Sequence, residues 1–215
     1  SDQARENLVN YIGDSQKIVT IYNGIDLSRF QNVVAQEKIK YDGKKVITMV
    51  AAFRAQKDHK TLIKAFDLLP SDYILQLVGD GELRKETEDY AKQFGSVDRI
   101  HFMGNRSDVP EILCSSDVVV LSSHYEGLSL SSLEGMACGR PFIASDVDGL
   151  HEIVNGAGIL FPCQDSISLA LSIKKCCEDS IFPALVGEKC YARVQKYDIK
   201  SMAEQYARLY NNLLK

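Results

Sequence analysis

Short apolar runs alternate with amphipathic stretches along most of the chain. VITMVAAF (46–53) opens on a β-branched pair and stays almost wholly apolar, which predicts a strand buried on both faces. KTLIKAFDLL (60–69) sets Leu62, Ile63, Phe66 and Leu69 at helical spacing, and Pro70 ends that helix. The alternation continues with a strand at YILQLVG (73–79) and a charged helix in GELRKETEDYAKQFG that stops at Gly95. RIHFMG (99–104) reads as a strand, SDVPEILCSS as a short helix and DVVVLSS (117–123) as a buried strand. LSLSSLEGMACG (128–139) predicts a helix and RPFIAS (140–145) a strand, and GLHEIVNG, AGILFP and SISLALSIKKCCED extend the series. Repeated strand–helix units joined by short loops predict an α/β fold: a Rossmann-like parallel sheet with helices on both faces and right-handed crossovers. Ligands of such sheets bind outside the carboxyl ends of the strands, which points to the loops after residues 53, 79, 104, 123 and 145.

The two ends of the chain differ from this pattern. DIKSMAEQYARLYNNLL carries apolar residues at Ile199, Met202, Ala203, Tyr206, Leu209, Tyr210 and Leu213, the stripe of a long C-terminal helix. At the other end, KIVTIYNGIDLSRF (17–30) reads as a strand and turn, preceded by a short polar helix.

Composition narrows the classes. Hydrophobic residues make up 45% and charged residues 25% of 215 residues, an ordinary soluble balance with enough chain for a full core. The net charge of −4 argues against a nucleic-acid partner, so an anionic ligand must be met by local cations or helix ends. The chain has no apolar run long enough for a membrane span, and SDQARENLVNYIG lacks the apolar core of a signal peptide. The six cysteines form no CxxC pair and read as buried thiols of a reducing cytosol.

Candidate chemistry gathers in HYEGLSLSSLEGMACGRP, where Glu126 and Glu134 flank an uncharged run. Two readings stand side by side. Ser131-x-x-Glu134 fits a capping box, with Glu126 a solvated loop residue. Alternatively, Glu126 follows the strand 117–123, and the next helix starts near Leu128 or Ser129 with Leu130, Leu133 and Met136 or Ala137 facing the core. Backbone N–H groups of Gly127, Leu128 and Ser129 then point outward, a ready phosphate site. The two carboxylates would accept hydrogen bonds from hydroxyls at either end of a ligand. Arg54 and Lys57 in AFRAQKDHKTL, and Arg106 in GNRSDV, supply cations for a diphosphate between them. A lysine beside a helix N-terminus is mildly unfavourable to the dipole, so Lys57 calls for a reason of its own.

These segments together resemble the C-terminal domain of retaining glycosyltransferases of the GT-B fold, family 4 type. IYNGID, AAFRAQKDHKTLIKAF, LQLVGDGELR, IHFMGNRSDVPEIL, HYEGLSLSSLEGMACGRPFIASDVDG, GLHEIV and GILFP match that family's elements in order over nearly the whole chain. The resemblance implies that Glu126 holds donor-sugar hydroxyls, Glu134 the ribose, and Lys57 the diphosphate. It implies that Gly127, Leu128 and Ser129 meet the distal phosphate and sugar. Gly104, Asn105 and Arg106 would lie beside the base, and the Gly79–Gly81 turn would line the same cleft. The family commonly has an arginine where this chain has Ala52; Arg54, at the same strand parity, is the candidate replacement. His151 stands where the family usually has proline and reads as a structural residue at a helix start.

The resemblance further implies one half of a GT-B fold over residues 1–215, with the N-terminal acceptor-binding domain absent from the chain. The implied reaction is retaining hexosyl transfer from a UDP- or GDP-linked sugar to a glycan or lipid-linked acceptor. The expected location is cytoplasmic, including the inner face of a membrane. No cofactor or metal is expected, because neither an Asp-x-Asp triplet nor a histidine cluster is read as a metal site. The alternative is a non-catalytic module that binds a nucleotide sugar. An NAD enzyme is disfavoured because GDGE is not GxGxxG. An epimerase or phosphorylase of the same fold is disfavoured by the spacing of the two glutamates.

Overall fold

The computed structural model describes residues 2–13, 15, 18–31, 33, 41 and 43–214. Among these residues six strands form one parallel sheet: β1 (Lys45–Val50), β2 (Tyr73–Val78), β3 (Ile100–Gly104), β4 (Val118–Leu121), β5 (Phe142–Ser145) and β6 (Ile159–Phe161). Their spatial order is β3-β2-β1-β4-β5-β6, and every pair is parallel. This is the Rossmann arrangement, with its topological switch between β1 and β4. The strands are continuous apolar runs because helices cover both faces. All six residues of β2 are buried, Gln76 included. Gln76 is tolerated there because Thr48 Oγ1 donates to its Oε1 at 3.1 Å; the same hydroxyl pairs with Ser116 Oγ at 2.6 Å, and Ser116 Oγ reaches Ile112 O at 2.8 Å.

The α-helices are α1 (Asp2–Ile12), α2 (His59–Asp67), α3 (Arg84–Ala91), α4 (Val109–Ser115), α5 (Leu130–Ala137), α6 (Asp148–Val154), α7 (Ser166–Glu178), α8 (Phe182–Val194) and α9 (Ile199–Leu213). Helix α2 packs against α3 and α7, and α5 against α8. Leu62, Ile63 and Phe66 of α2 are fully buried, as their spacing predicts.

Four features depart from the sequence reading. The stretch 17–30 is not a strand over its described residues 18–24. Only Ile25 forms a bridge, to Asp198, and residues Leu27–Phe30 close a 3-10 turn; Lys17 lies outside the described residues. Helix α8 was not legible as an element, yet it buries Val186, Gly187, Cys190 and Val194. Helix α9 has its apolar stripe but buries none of it: Tyr210 is 60% exposed and Leu213 74%. The six cysteines are free thiols; Cys176 and Cys190 are buried, but Cys163 is exposed, against the expectation of buried thiols.

Candidate functional site

The loop after β1 is shaped by one residue in an uncommon conformation. Asp58 adopts the left-handed region (φ 43°), which Asp tolerates better than most residues, and caps α2 by accepting from Thr61 N at 3.1 Å. The preceding 3-10 turn, Ala55–Lys57, turns Lys57 towards the loop after β4. There Lys57 Nζ donates to Glu126 Oε1 in a close ion pair, with the two side chains 14% and 6% exposed. Ser123 Oγ donates to the same carboxylate at 2.7 Å, and Gln56 Nε2 donates to Glu126 Oε2 at 3.3 Å and to Tyr125 O at 2.8 Å. His124 N donates to Gln56 O at 2.8 Å, closing the seam between the two loops. Glu126 is therefore a buried, multiply bonded carboxylate and not a solvated loop residue.

These loops form one wall of a cleft of about 690 Å³ at the carboxyl ends of β1, β2 and β4. Arg54, Lys57, Gly79, Asn105, Arg106, Glu126 and Ser129 line it, as their positions after the strands predict. Gly79 is required by close packing: it has φ 138°, and a Cβ there would lie 2.1 Å from Ala51 O. Its N–H donates to Gly104 O at 2.9 Å, which ties the ends of β2 and β3 together at the rim. Gly104 itself does not line the cleft; it positions Asn105 and Arg106. Arg54 is exposed on the rim and has no ion pair among the described residues, while Ala52 lines the cleft wall. Arg106 is held by Asp108 through bonds of 2.8 and 2.7 Å.

Helix α5 starts at Leu130 with Ser129 as its N-cap. Ser131 and Glu134 do not form a capping box: Ser131 lies inside the helix, its hydroxyl paired with Ser129 Oγ at 3.0 Å. Leu130 is on the cleft rim, 49% exposed, and not in the core as its spacing predicts. The backbone N–H groups of Gly127, Leu128 and Ser129 carry no hydrogen bond within the described residues. Gly127 and Leu128 flank the lining and do not form it.

Glu134 lies one turn beyond Leu130 and Ser131 on the same helix face, outside the cleft lining proper. Its side chain is 24% exposed, and its Oε1 lies 4.0 Å from Arg29 Nη1. Burial pushes the Glu134 carboxyl above the ordinary glutamate value, and the Arg29 charge acts against that shift. On the other side of Lys57, His59 stacks on Phe53 with ring centroids 4.2 Å apart and is 4% exposed. Burial, followed by the Lys57 charge, lowers His59 to about 4, so it is neutral at pH 7.

Gln56 is a cleft residue that the sequence did not single out; of the Gly79–Gly81 turn, Gly79 and Asp80 line the cleft and Gly81 does not, and Ser131, read as a capping residue, lines it too. Gln56 had a readable signal, its place between Arg54 and Lys57. His151 lies away from the cleft, its Nδ1 2.6 Å from Asp146 Oδ1 and its Nε2 3.0 Å from Asn155 Nδ2, so it acts as a structural residue. Asp146-Val147-Asp148 is an Asp-x-Asp triplet in the sequence. It lies outside the cleft lining, and among the described residues no group of three or more His, Cys, Asp or Glu side chains is arranged to hold a metal.

The chain is similar to the UDP-Gal:alpha-D-GlcNAc-diphosphoundecaprenol alpha-1,3-galactosyltransferase of Escherichia coli, 29% identical over 94% of this chain and 56% of that protein. Its fold matches the crystal structure of Anabaena Alr3699/HepE in complex with UDP and glucose, with a TM-score of 0.89 at 24% identity over 98% of this chain and 61% of that one. It also matches the crystallised C-terminal domain of a glycosyl transferase group 1 family protein (LpcC) from Francisella tularensis. There the TM-score is 0.71 at 27% identity, covering 82% of this chain and all of that one. The chain spans about half the length of the curated relatives it matches. The model of the family described as glycosyl transferases group 1 matches residues 31–200, most of the chain including the cleft, and the protein belongs to that family.

Proposed function

We propose that the chain is the C-terminal, donor-binding domain of a retaining family 4-type glycosyltransferase. In this reading residues 1–215 bind a nucleoside diphosphate sugar, and an N-terminal domain outside this chain binds the glycan or lipid-linked acceptor. The observation that carries the reading is the cleft itself. It holds a buried lysine–carboxylate pair and Ser129 in its lining, and beside that lining stand backbone amides with no hydrogen bond among the described residues and, one turn along α5, a second carboxylate.

Each part has a chemical task. The amides of Gly127, Leu128 and Ser129 and the positive end of α5 bind the distal phosphate. Lys57, with Arg54 at the rim, stabilises the negative charge that grows on the diphosphate as the sugar leaves, and no metal is assigned to that task. Glu126 is fixed by Lys57, Ser123 and Gln56, which leaves a rigid carboxylate edge for sugar hydroxyls. Glu134 accepts the ribose diol, and the Gly104–Arg106 loop borders the base. Retention at the anomeric carbon comes with the family reading. Without the acceptor-binding half the isolated chain should transfer sugar poorly or not at all. The location that goes with this reading is the cytoplasm, including the inner face of a membrane; no helix of the described residues is long and apolar enough to cross a membrane.

The test is calorimetric titration with UDP, GDP and ADP. UDP is the first choice, because the E. coli relative takes a UDP sugar. One diphosphate should bind, and Glu134→Ala should weaken it about tenfold or more, a loss of ~1.4 kcal/mol. Indifference to all three would sink the reading.

A further inference from the structure

Arg29 lies before the family-matched region 31–200, and sequence patterns give it no role. The structure brings it to Glu134. We infer that Arg29 is a positioning residue for the donor site: it holds the Glu134 carboxylate charged and oriented for the ribose diol. The inference rests on the proposed reading of Glu134 and goes beyond it by naming the group that prepares that carboxylate.

The geometry is that of a built support. Arg29 sits on the 3-10 turn whose flanking residues Leu27 and Phe30 are buried at 4% and 8% exposure. Asp26 caps the turn, accepting from Ser28 N at 3.0 Å and Ser28 Oγ at 2.6 Å. On the N-terminal side the backbone is laced to the start of α9: Ile25 N donates to Tyr197 O and Ile199 N to Ile25 O, both at 2.9 Å. Gly24 fits this seam only because it lacks a side chain; a Cβ there would lie 2.8 Å from Asp198 C and O. The backbone beneath Arg29 is thus held in place by the buried Leu27 and Phe30 and by the seam at Ile25, so pairing with Glu134 orders the arginine side chain alone.

The chemistry needs such a partner. Glu134 is largely withdrawn from water, and withdrawal favours the protonated acid. Protonation turns one of the two acceptor oxygens into a donor, so the acid no longer offers one acceptor oxygen to each hydroxyl of a diol. Among the described residues, Arg29 is the charged group that acts on Glu134. It approaches through Oε1 from a half-exposed position, so it supports the carboxylate from the side without enclosing it.

Two measurements test this. The first needs no nucleotide: the side-chain carboxyl of Glu134 is titrated by ¹³C NMR in the wild type, Arg29→Ala and Arg29→Lys. The midpoint should rise in Arg29→Ala and return towards the wild-type value in Arg29→Lys. The second is UDP calorimetry between pH 5 and 8. Arg29→Ala should weaken UDP by about two- to fivefold at pH 7, and by more as the pH falls. In a Glu134→Gln background, which also controls for titration of the UDP phosphates, the same substitution should have no further effect. A Glu134 midpoint that ignores Arg29, or an equal loss in the Glu134→Gln background, overturns the inference alone. A wild type that binds no nucleoside diphosphate overturns the donor-site reading and the inference with it.

Discussion

Acidification should destabilise this domain through His59. The ring is stacked on Phe53, its Nε2 is buried without a hydrogen-bond partner, and burial lowers it from the ordinary 6.5 to about 4. The neutral ring is tolerated in the folded state, whereas the unfolded chain takes up a proton from pH 6.5 downward. The stability this group contributes is therefore complete above pH 6.5 and falls as the pH drops, levelling off below about 4. The depression corresponds to about 3 kcal/mol in total, of which about 2 kcal/mol is lost by pH 5. Urea unfolding of the wild type and His59→Phe at pH 7.5 and 5.0 measures it. The variant keeps an aromatic ring against Phe53 and removes the orphaned nitrogen, whose burial costs about 1–3 kcal/mol. It should match or exceed the wild type at pH 7.5 and lose about 2 kcal/mol less on going to pH 5. His59→Leu serves as the second variant if the larger ring is too tight. Equal pH slopes in wild type and variants, or an imidazole that titrates near 6.5 by NMR, would refute the reasoning.

Two further outcomes follow from the cleft. Lys57→Met leaves the Glu126 carboxylate buried with only the Ser123 and Gln56 donors, and should cost on the order of 3 kcal/mol by urea unfolding. Lys57→Met with Glu126→Gln should cost clearly less than the two single changes added together, and additive costs would show that the pair is not coupled. Gly149→Ala would set a Cβ 1.8 Å from Gly127 O and 2.4 Å from Glu126 O, forcing the 126–127 loop to move. Thermal denaturation should show a loss of about 1–3 kcal/mol, and UDP affinity should fall at least tenfold; unchanged affinity would remove that loop from the site.

Much of this molecule is written locally in the chain. Leu62, Ile63 and Phe66 announce α2 by their spacing, and VVVL announces β4 by its unbroken apolarity, because each pattern reflects burial that the element needs in any surroundings. The positions of Lys57, Glu126 and Ser129 at the cleft followed from the same source, since residues just after parallel strands collect at one edge of the sheet. Helix α8 was hidden because its buried face includes Gly187, whose missing side chain lets Gly139 O approach, and because Pro183 near its start reads as a breaker; small core residues dilute the pattern.

The sequence alone determined the six sheet strands and most helices, though not α8 or the non-strand path of 18–24, and which loops carry charge. It showed that α9 is amphipathic, but amphipathicity does not name a partner, and within the described residues its stripe stays uncovered. Only the tertiary structure decided that Lys57 and Glu126 neutralise each other, that Glu134 turns from a capping role to Arg29, and that His59 is buried beside them. Those pairings join residues far apart along the chain, and their energies depend on distance and on exclusion of water. Neither quantity exists until the strands have taken their order in the sheet.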